Sequence, residues 1–190
     1  MPYIANAARI LIEFGFGAIL GWLLLRLLTE YRRCDFRNPI CQFLYRSTHP
    51  LLAPLARVLP SWRRISTAVL VLALAAEILK LLLLCATAGF LPHWGGLLWL
   101  GVAELLDFLL ILHIVLIVGW ALMSLLGATP SHPLVPLLGQ LTQPLLRPLQ
   151  KRPPMPGGID FSPAIAVVLL LLVRALLLQP LLDFGANLLR

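Results

Sequence analysis

The sequence predicts an all-α membrane protein with four transmembrane helices. They form two parallel helix–amphipathic segment–helix repeats, related by a pseudo-twofold axis along the membrane normal. Three observations predict this. The 190-residue chain is 60% hydrophobic, has a mean hydropathy of +0.93 and is only 12% charged; a soluble domain is usually about 45–50% apolar and about 25% charged. The chain also repeats itself: Pro39, Pro50, Pro54 and Pro60 recur at one constant offset as Pro133, Pro144, Pro148 and Pro154. The strings between them match, Pro50-Leu51-Leu52-Ala53-Pro54 against Pro144-Leu145-Leu146-Arg147-Pro148. Finally, basic residues crowd into two of the connections and avoid the third.

The spans are expected at 7–28, 65–91, 97–126 and 161–184. Each exceeds the roughly 20 residues that cross the hydrocarbon. Each must be helical, because a lone strand would leave its amides unpaired in lipid. The first span does not read as a signal peptide. Glu13 interrupts it and it ends in Arg26, Glu30, Arg32 and Arg33 without a small-residue cleavage site. Its Gly21-Trp22 matches Gly119-Trp120 in the third span, so it belongs to the repeat and is expected to be retained. The two units are then 1–94 and 95–190.

Orientation follows from the arginines and lysines. The first long connection holds Arg32, Arg33, Arg37, Arg46, Arg57, Arg63 and Arg64, and the second holds Arg147, Lys151 and Arg152. The turn at 92–95 holds none. The positive-inside rule places both long connections in the cytoplasm and both termini outside. With two spans per unit, the repeats run in the same sense.

The long connections, 38–60 and 132–154, carry apolar residues three or four apart: Ile40, Phe43, Leu44, Leu51 and Leu55, and then Leu134, Leu137, Leu138, Leu141 and Leu145. This is the stripe of an amphipathic helix. Prolines inside it predict a kink or break, giving a short helix, an extended proline-rich turn and then the next span. Such a segment suits the interface plane, with Arg46, Arg57, Arg63, Arg64, Lys151 and Arg152 on anionic headgroups or a partner. The alternative is a loop packed on the helix ends.

The second repeat continues Gly157-Gly158-Ile159-Asp160-Phe161-Ser162-Pro163. Ser162 before Pro163 suits an N-cap with proline at the first helical position. Asp160 fits the positive end of the helix dipole, and capping alone accounts for it. A sharper expectation is an Arg147–Asp160 salt bridge, because the first repeat replaces both together, with Ala53 and Ser66.

Pro144-Leu145-Leu146-Arg147-Pro148 and Gly157-Gly158-Ile159-Asp160-Phe161-Ser162-Pro163, with their weaker upstream copy, resemble the YggT family in its two-unit form over nearly the whole chain. The family turn carries two arginines where this chain has Gln150-Lys151 and Ala56-Arg57, and the first repeat reads Arg63-Arg64-Ile65-Ser66 in place of the Gly-Gly-Ile-Asp core. The resemblance implies a small multi-pass protein of the bacterial inner membrane with no settled biochemical activity. It also implies links to osmotic or salt tolerance and to the division machinery; chloroplast relatives are linked to cytochrome assembly and thylakoid organisation.

Charges also stand deep in the spans: Glu77 and Lys80 near the middle of the second, Arg174 near the middle of the fourth, and Glu104 and Asp107 one turn apart on the third. A charge at bilayer depth costs roughly 2.5–3.5 kcal/mol on insertion scales and faces protein or water. Glu77 and Lys80, three apart, are placed to pair, and Asp107 is the natural partner for Arg174. Glu104 and Arg26 are expected to reach the interface. The charges make either a polar seam joining the repeats or an ion path. His113 is the one histidine deep in a span, so no facing pair could hold haem. Cys34, Cys41 and Cys85 have no zinc spacing and read as free thiols. No phosphate loop or nucleophile–base pair stands out, so no cofactor and no metal is implied. Headgroups explain the +7 charge better than nucleic acid does.

The expected function is a non-enzymatic membrane scaffold or assembly factor that binds anionic lipid and either a membrane protein partner or further copies of itself. The alternative is a small oligomeric ion channel or transport component using the buried charges. A membrane enzyme built on Asp160 is distant, since one carboxylate is too few for a metal site.

Overall fold

The computed structural model describes residues 2–59, 65–127, 129, 132–150 and 160–189. Six helices follow one another: α1 (Pro2–Tyr31), α2 (Pro39–Val58), α3 (Thr67–Ala88), α4 (Trp94–Leu125), α5 (Leu134–Gln150) and α6 (Ser162–Leu189). α1, α3, α4 and α6 are long and apolar enough to cross a membrane, and the fold is that of a multi-pass α-helical membrane protein. α2 and α5 occupy equivalent places in the two repeats.

Local chemistry sets the ends. α1 stops in a Schellman turn: Arg33 takes a left-handed φ of 51°, while its N–H donates to Glu30 O and Cys34 N donates to Thr29 O. Asn38 then caps α2, its side chain accepting from Ile40 N at 2.9 Å ahead of Pro39. The equivalent His132 does the same for α5, accepting from Leu134 N at 3.3 Å ahead of Pro133. α3 ends at Gly89, whose φ of 77° needs a residue without a Cβ. In α6 a π turn spans Arg174–Leu178. Its cause is Pro180, which cannot donate to Leu176 O; Gln179 N bonds instead to Arg174 O.

The expected break at the prolines does not occur. α2 runs through Pro50 and Pro54 to Val58, and α5 through Pro144 and Pro148 to Gln150. Spacing explains this. Prolines four apart lie on one side of a helix, and in α2 that side is exposed. The carbonyls freed at Arg46 and Pro50 therefore face outward, away from the core. The opposite side buries Cys41, Leu44, Thr48 and Leu52, and α5 likewise buries Leu137, Leu138, Leu141, Thr142 and Leu146.

α2 folds back along the end of α1 as an antiparallel hairpin. Cys41 shares a core cluster with Cys34, Arg26 contacts Tyr45 and Thr48, Trp22 bonds to Ser47, and Leu52 packs with Leu20, Leu23 and Leu24. α5 treats α4 the same way: Gly139 lies under Trp120, and Leu146 packs with Ile117. Asn38 Nδ2 donates to Pro133 O at 2.6 Å and joins the starts of the two amphipathic helices.

Glycines let α4 and α6 approach closely. A Cβ on Gly96 would stand 2.4 Å from the Leu188 carbonyl, and one on Gly185 would stand 2.8 Å from the Trp99 ring. The glycines of α1 make looser contacts. Gly17 and Gly21 meet only the Phe108 ring at 4.0 and 3.8 Å, and Gly15 has nothing within 4 Å.

Candidate functional site

Two sets of polar residues stand out. The first lies in the α1–α2 hairpin. The Arg26 guanidinium, 6% exposed, donates to Glu30 Oε1 at 2.8 Å, Tyr45 O at 3.1 Å and Thr48 Oγ1 at 2.5 Å, and stacks over the Tyr45 ring at 4.3 Å. Glu30 neutralises it within α1. A cavity of about 500 Å³ opens beside it, lined by Glu30, Arg33, Cys34, Phe36, Cys41 and Tyr45. Burial pushes the Cys34 thiol up to about 12, and burial raises Cys41 as well. Both are protonated and poorly nucleophilic at neutral pH.

The outward face of α2 is apolar and basic. Phe43, Leu51 and Val58 are exposed, and so are Arg46 and Arg57. Helical spacing runs Arg46, Pro50 and Arg57 as one line beside that apolar strip. α5 has no such face: its exposed positions include Gln140, Gln143, Arg147 and Gln150. Arg63, Arg64, Lys151 and Arg152 lie outside the described residues.

In the second-repeat motif, Leu146 is buried, Pro144 and Leu145 are half-buried, and Arg147 and Pro148 are exposed. Gly157, Gly158 and Ile159 lie outside the described residues. The expected Arg147–Asp160 bridge is not formed. Arg147 Nη2 donates to Gln143 Oε1 at 3.3 Å, one turn back on its own helix. Asp160 accepts from Ser162 N at 2.8 Å and from Gln150 Nε2 at 3.2 Å. Asp160 is thus the side-chain cap of α6, and buried Ser162 opens the helix instead of preceding it. Hydrogen bonds from the Ser162 hydroxyl, the Ser162 amide and Gln150 hold the Asp160 carboxyl below its ordinary range.

The second set is the charged seam between the long helices. Arg174 Nε and Nη2 reach Asp107 Oδ1 and Oδ2 at 2.7 and 3.0 Å, a bidentate pair at the start of the π turn. Lys80 Nζ contacts Glu77 Oε1 and lies 2.7 Å from Glu104 Oε2. The Lys80 ammonium thus sits between the two carboxylates, and the Glu104 side chain stays 29% exposed. Glu77 is fully buried, and the Lys80 ammonium is its counter-charge. A cleft of about 350 Å³ borders the seam, lined by Lys80, Glu104, Asp107, Phe108, Ile111 and Asp183 among others. His113 Nδ1 lies 2.8 Å from Leu109 O on its own helix. Among the described residues no group of three His, Cys, Asp or Glu side chains is placed to hold a metal ion.

Sequence reasoning missed Asp183 and the Arg26 cluster. Asp183 carries a signal of its own, a carboxylate inside the last apolar stretch. The Arg26 cluster joins residues 19 and 22 apart through a hairpin, and no periodicity within one helix reveals that.

The family model described as CCB3/YggT matches residues 1–87 and 99–181. The chain is 37% identical over 153 residues to "Uncharacterized protein YggT" of Escherichia coli (strain K12), covering 80% of this chain and 79% of the relative. It is 34% identical over 180 residues to "Uncharacterized protein PA0392" of Pseudomonas aeruginosa, covering 92% and 90%. A Haemophilus influenzae protein is 31% identical over 158 residues, covering 83% of each. No solved structure matches the chain significantly.

Proposed function

From the premise that the chain belongs to the CCB3/YggT family, we propose that it is a non-enzymatic scaffold or assembly factor of the bacterial inner membrane. It holds anionic lipid against the α1–α2 hairpin and presents that hairpin to a membrane protein partner. The observation that carries this reading is the outward face of α2, where exposed Phe43, Leu51 and Val58 run beside Arg46 and Arg57. An apolar strip flanked by cations is the chemistry of a headgroup boundary.

Helix lengths support the placement. From Pro2 to Trp22, α1 is about 30 Å long at 1.5 Å per residue, which matches the hydrocarbon thickness. Trp22 then lies at the headgroup level, where indoles concentrate, and the last turns of α1 stand clear of the bilayer with α2 packed against them. α2 is thus more upright than a helix lying in the interface plane. Its C-terminal half, with Leu51, Arg57 and Val58, comes down to the lipid. In this reading the basic connections are cytoplasmic, both termini are periplasmic, and the role lies in osmotic or salt tolerance or in envelope and division organisation.

The test is lipid selection. In nanodiscs of mixed phosphatidylglycerol and phosphatidylcholine, native mass spectrometry should find the anionic lipid enriched on the protein. The Arg46→Gln/Arg57→Gln variant should lose it. Each arginine near an anionic surface contributes about 1 kcal/mol, so enrichment should fall roughly thirtyfold for the pair. Equal retention of both lipids by the unsubstituted chain would sink the proposal.

A second reading, an oligomeric ion pathway, draws support from the cleft beside Lys80, Glu104, Asp107 and Asp183. It requires cation flux in liposomes that is lost in a folded Lys80→Ala/Arg174→Ala variant.

A further inference from the structure

The charged seam satisfies its cations within the chain, but two other places in the spans keep charge on the outside. On α1, Arg9 Nε donates to Glu13 Oε1 at 2.8 Å with side chains 66% and 47% exposed. On α6, Asp183 is exposed, and no cation pairs with it among the described residues. Charged side chains within a span normally face protein or water. An exposed arginine and an exposed aspartate on two different helices are complementary.

They also lie at one depth. Arg9 lines a surface pocket with Leu81, Cys85 and Leu189. Leu81, Cys85, Leu100 and Leu189 belong to one core cluster, and Leu100 lines the cleft with Asp183. Tyr3 and Leu189 line that same pocket, so α1 begins where α6 ends. Arg9 lies seven residues from Pro2 and Asp183 six from Leu189, about 10 and 9 Å along their helices, which puts both groups in the same outer part of the bundle. Equal depth is what a parallel dimer demands, because a twofold axis along the membrane normal preserves the height of every atom.

We propose that a second copy of this chain covers these faces. The outer half of α1 in each copy lies beside α6 of the other, and each Arg9 reaches Asp183 of its neighbour. The contact is isologous, so the pair forms twice and both α1–α6 seams close. The guanidinium has enough donors to keep Glu13 while gaining Asp183. Apolar packing has little driving force between helices in lipid, so the polar pair sets the register. The exposed side chains around it, Ile10, Leu11 and Phe14 on α1 and Leu176, Phe184 and Leu188 on α6, then pack on one another. Gly15, with nothing within 4 Å, leaves room for the neighbouring helix. This dimer is independent of the lipid reading of α2, since it uses the opposite end of α1.

The test is cross-linking in native membranes, with Cys34, Cys41 and Cys85 replaced by Ala. A chain carrying Arg9→Cys and Asp183→Cys should oxidise to covalent dimers with copper-phenanthroline. A mixture of the two single variants should give a dimer joining one of each. Leu83→Cys in place of Arg9→Cys, an exposed position on α3, should not. In the wild-type cysteine background, Arg9→Asp or Asp183→Arg alone should weaken association about tenfold, the ratio set by 1.4 kcal/mol, and combining them should restore it. Cross-linking no stronger than the Leu83 control, or a double reversal no better than the singles, overturns the proposal. If the variants fail to insert, the unsubstituted chain decides: native mass spectrometry from nanodiscs should show dimers, and a monomer refutes the inference.

Discussion

Breaking the Arg174–Asp107 pair measures what the charged seam is for. Arg174→Met removes two hydrogen bonds of 2.7 and 3.0 Å and leaves Asp107, whose side chain is 12% exposed, at bilayer depth. An unpaired carboxylate there costs roughly 2.5–3.5 kcal/mol on insertion scales. Two effects reduce this. Removing the arginine, 35% exposed, also removes its own unfavourable insertion, and measured interhelical polar couplings in membranes reach only about 1.7 kcal/mol. The single substitution should therefore destabilise the protein by about 1–2 kcal/mol. Asp107→Leu strands the guanidinium and should cost a similar amount. The double variant should return to within about 0.5 kcal/mol of the starting chain, because removing both members of a buried ion pair is often neutral. Reversible unfolding in bicelles across the double-mutant cycle gives the coupling directly. Additive single effects would refute the pairing as a source of stability. A double variant that stays folded but loses potassium flux in liposomes would turn the seam into a conduction path and favour the transport reading.

Two further outcomes follow from packing and from burial. Gly96→Ala places a Cβ 2.4 Å from the Leu188 backbone, and backbone cannot give way as a side-chain end can. It should separate α6 from α4 and cost about 1–3 kcal/mol in bicelle unfolding, whereas Gly15→Ala, in open space, should cost under about 0.5 kcal/mol. A comparable loss at both positions would contradict the helix contact described. Thiol labelling tests the hairpin: with Cys34 raised from 9.0 to about 12 by burial, its thiolate fraction at neutral pH falls about a thousandfold. Maleimide should label Cys34 and Cys41 in detergent-unfolded protein far faster than in the native membrane, the native rate rising with pH. Prompt native labelling would mean that α2 does not stay packed on α1.

Much of the fold was legible because the bilayer leaves few choices. Long apolar runs must be helices, and the constant proline offset makes the duplication visible in the residues themselves. The partners of Lys80 and Arg174 could be read because charges in a span need counter-charges, and few were available. The turn at Asp160 was misread for a local reason. Arg147 finds Gln143 one turn away, and Asp160 caps the helix that it precedes, so neither side chain needs the other. The proline positions misled because proline's effect depends on which face the freed carbonyl meets, and period alone does not tell inside from outside for a helix whose packing partner is unknown. The exposed pairing surface at Arg9 and Asp183 is of the same kind. Each residue is visible as a charge in an apolar run, but their common depth emerges only when four helices are assembled.

The two repeats solve one packing problem from opposite sides. Thr48 and Thr142 occupy equivalent buried positions and donate to the equivalent carbonyls of Leu44 and Leu138. Leu52 and Leu146 are buried alike. Between them the repeats diverge. In the first, the amphipathic helix supplies the ring, Tyr45, and the membrane helix supplies Arg26, which stacks over it. In the second, the place of Tyr45 is taken by Gly139, and Trp120, the counterpart of Trp22, closes over it: a Cβ on Gly139 would stand 3.2 Å from the Trp120 ring. The buried arginine stacked on a tyrosine is found only in the hairpin of the first repeat. That repeat also carries the exposed apolar and basic face of α2. The second keeps the Asp160 cap, the π turn and Arg174. The exposed apolar and basic face thus belongs to the first repeat alone, whereas both repeats supply the charged seam, Glu77 and Lys80 from the first and Glu104, Asp107 and Arg174 from the second. Exchanging Tyr45 and Gly139 alone would fail, because each ring position matches the side chain that its own membrane helix presents.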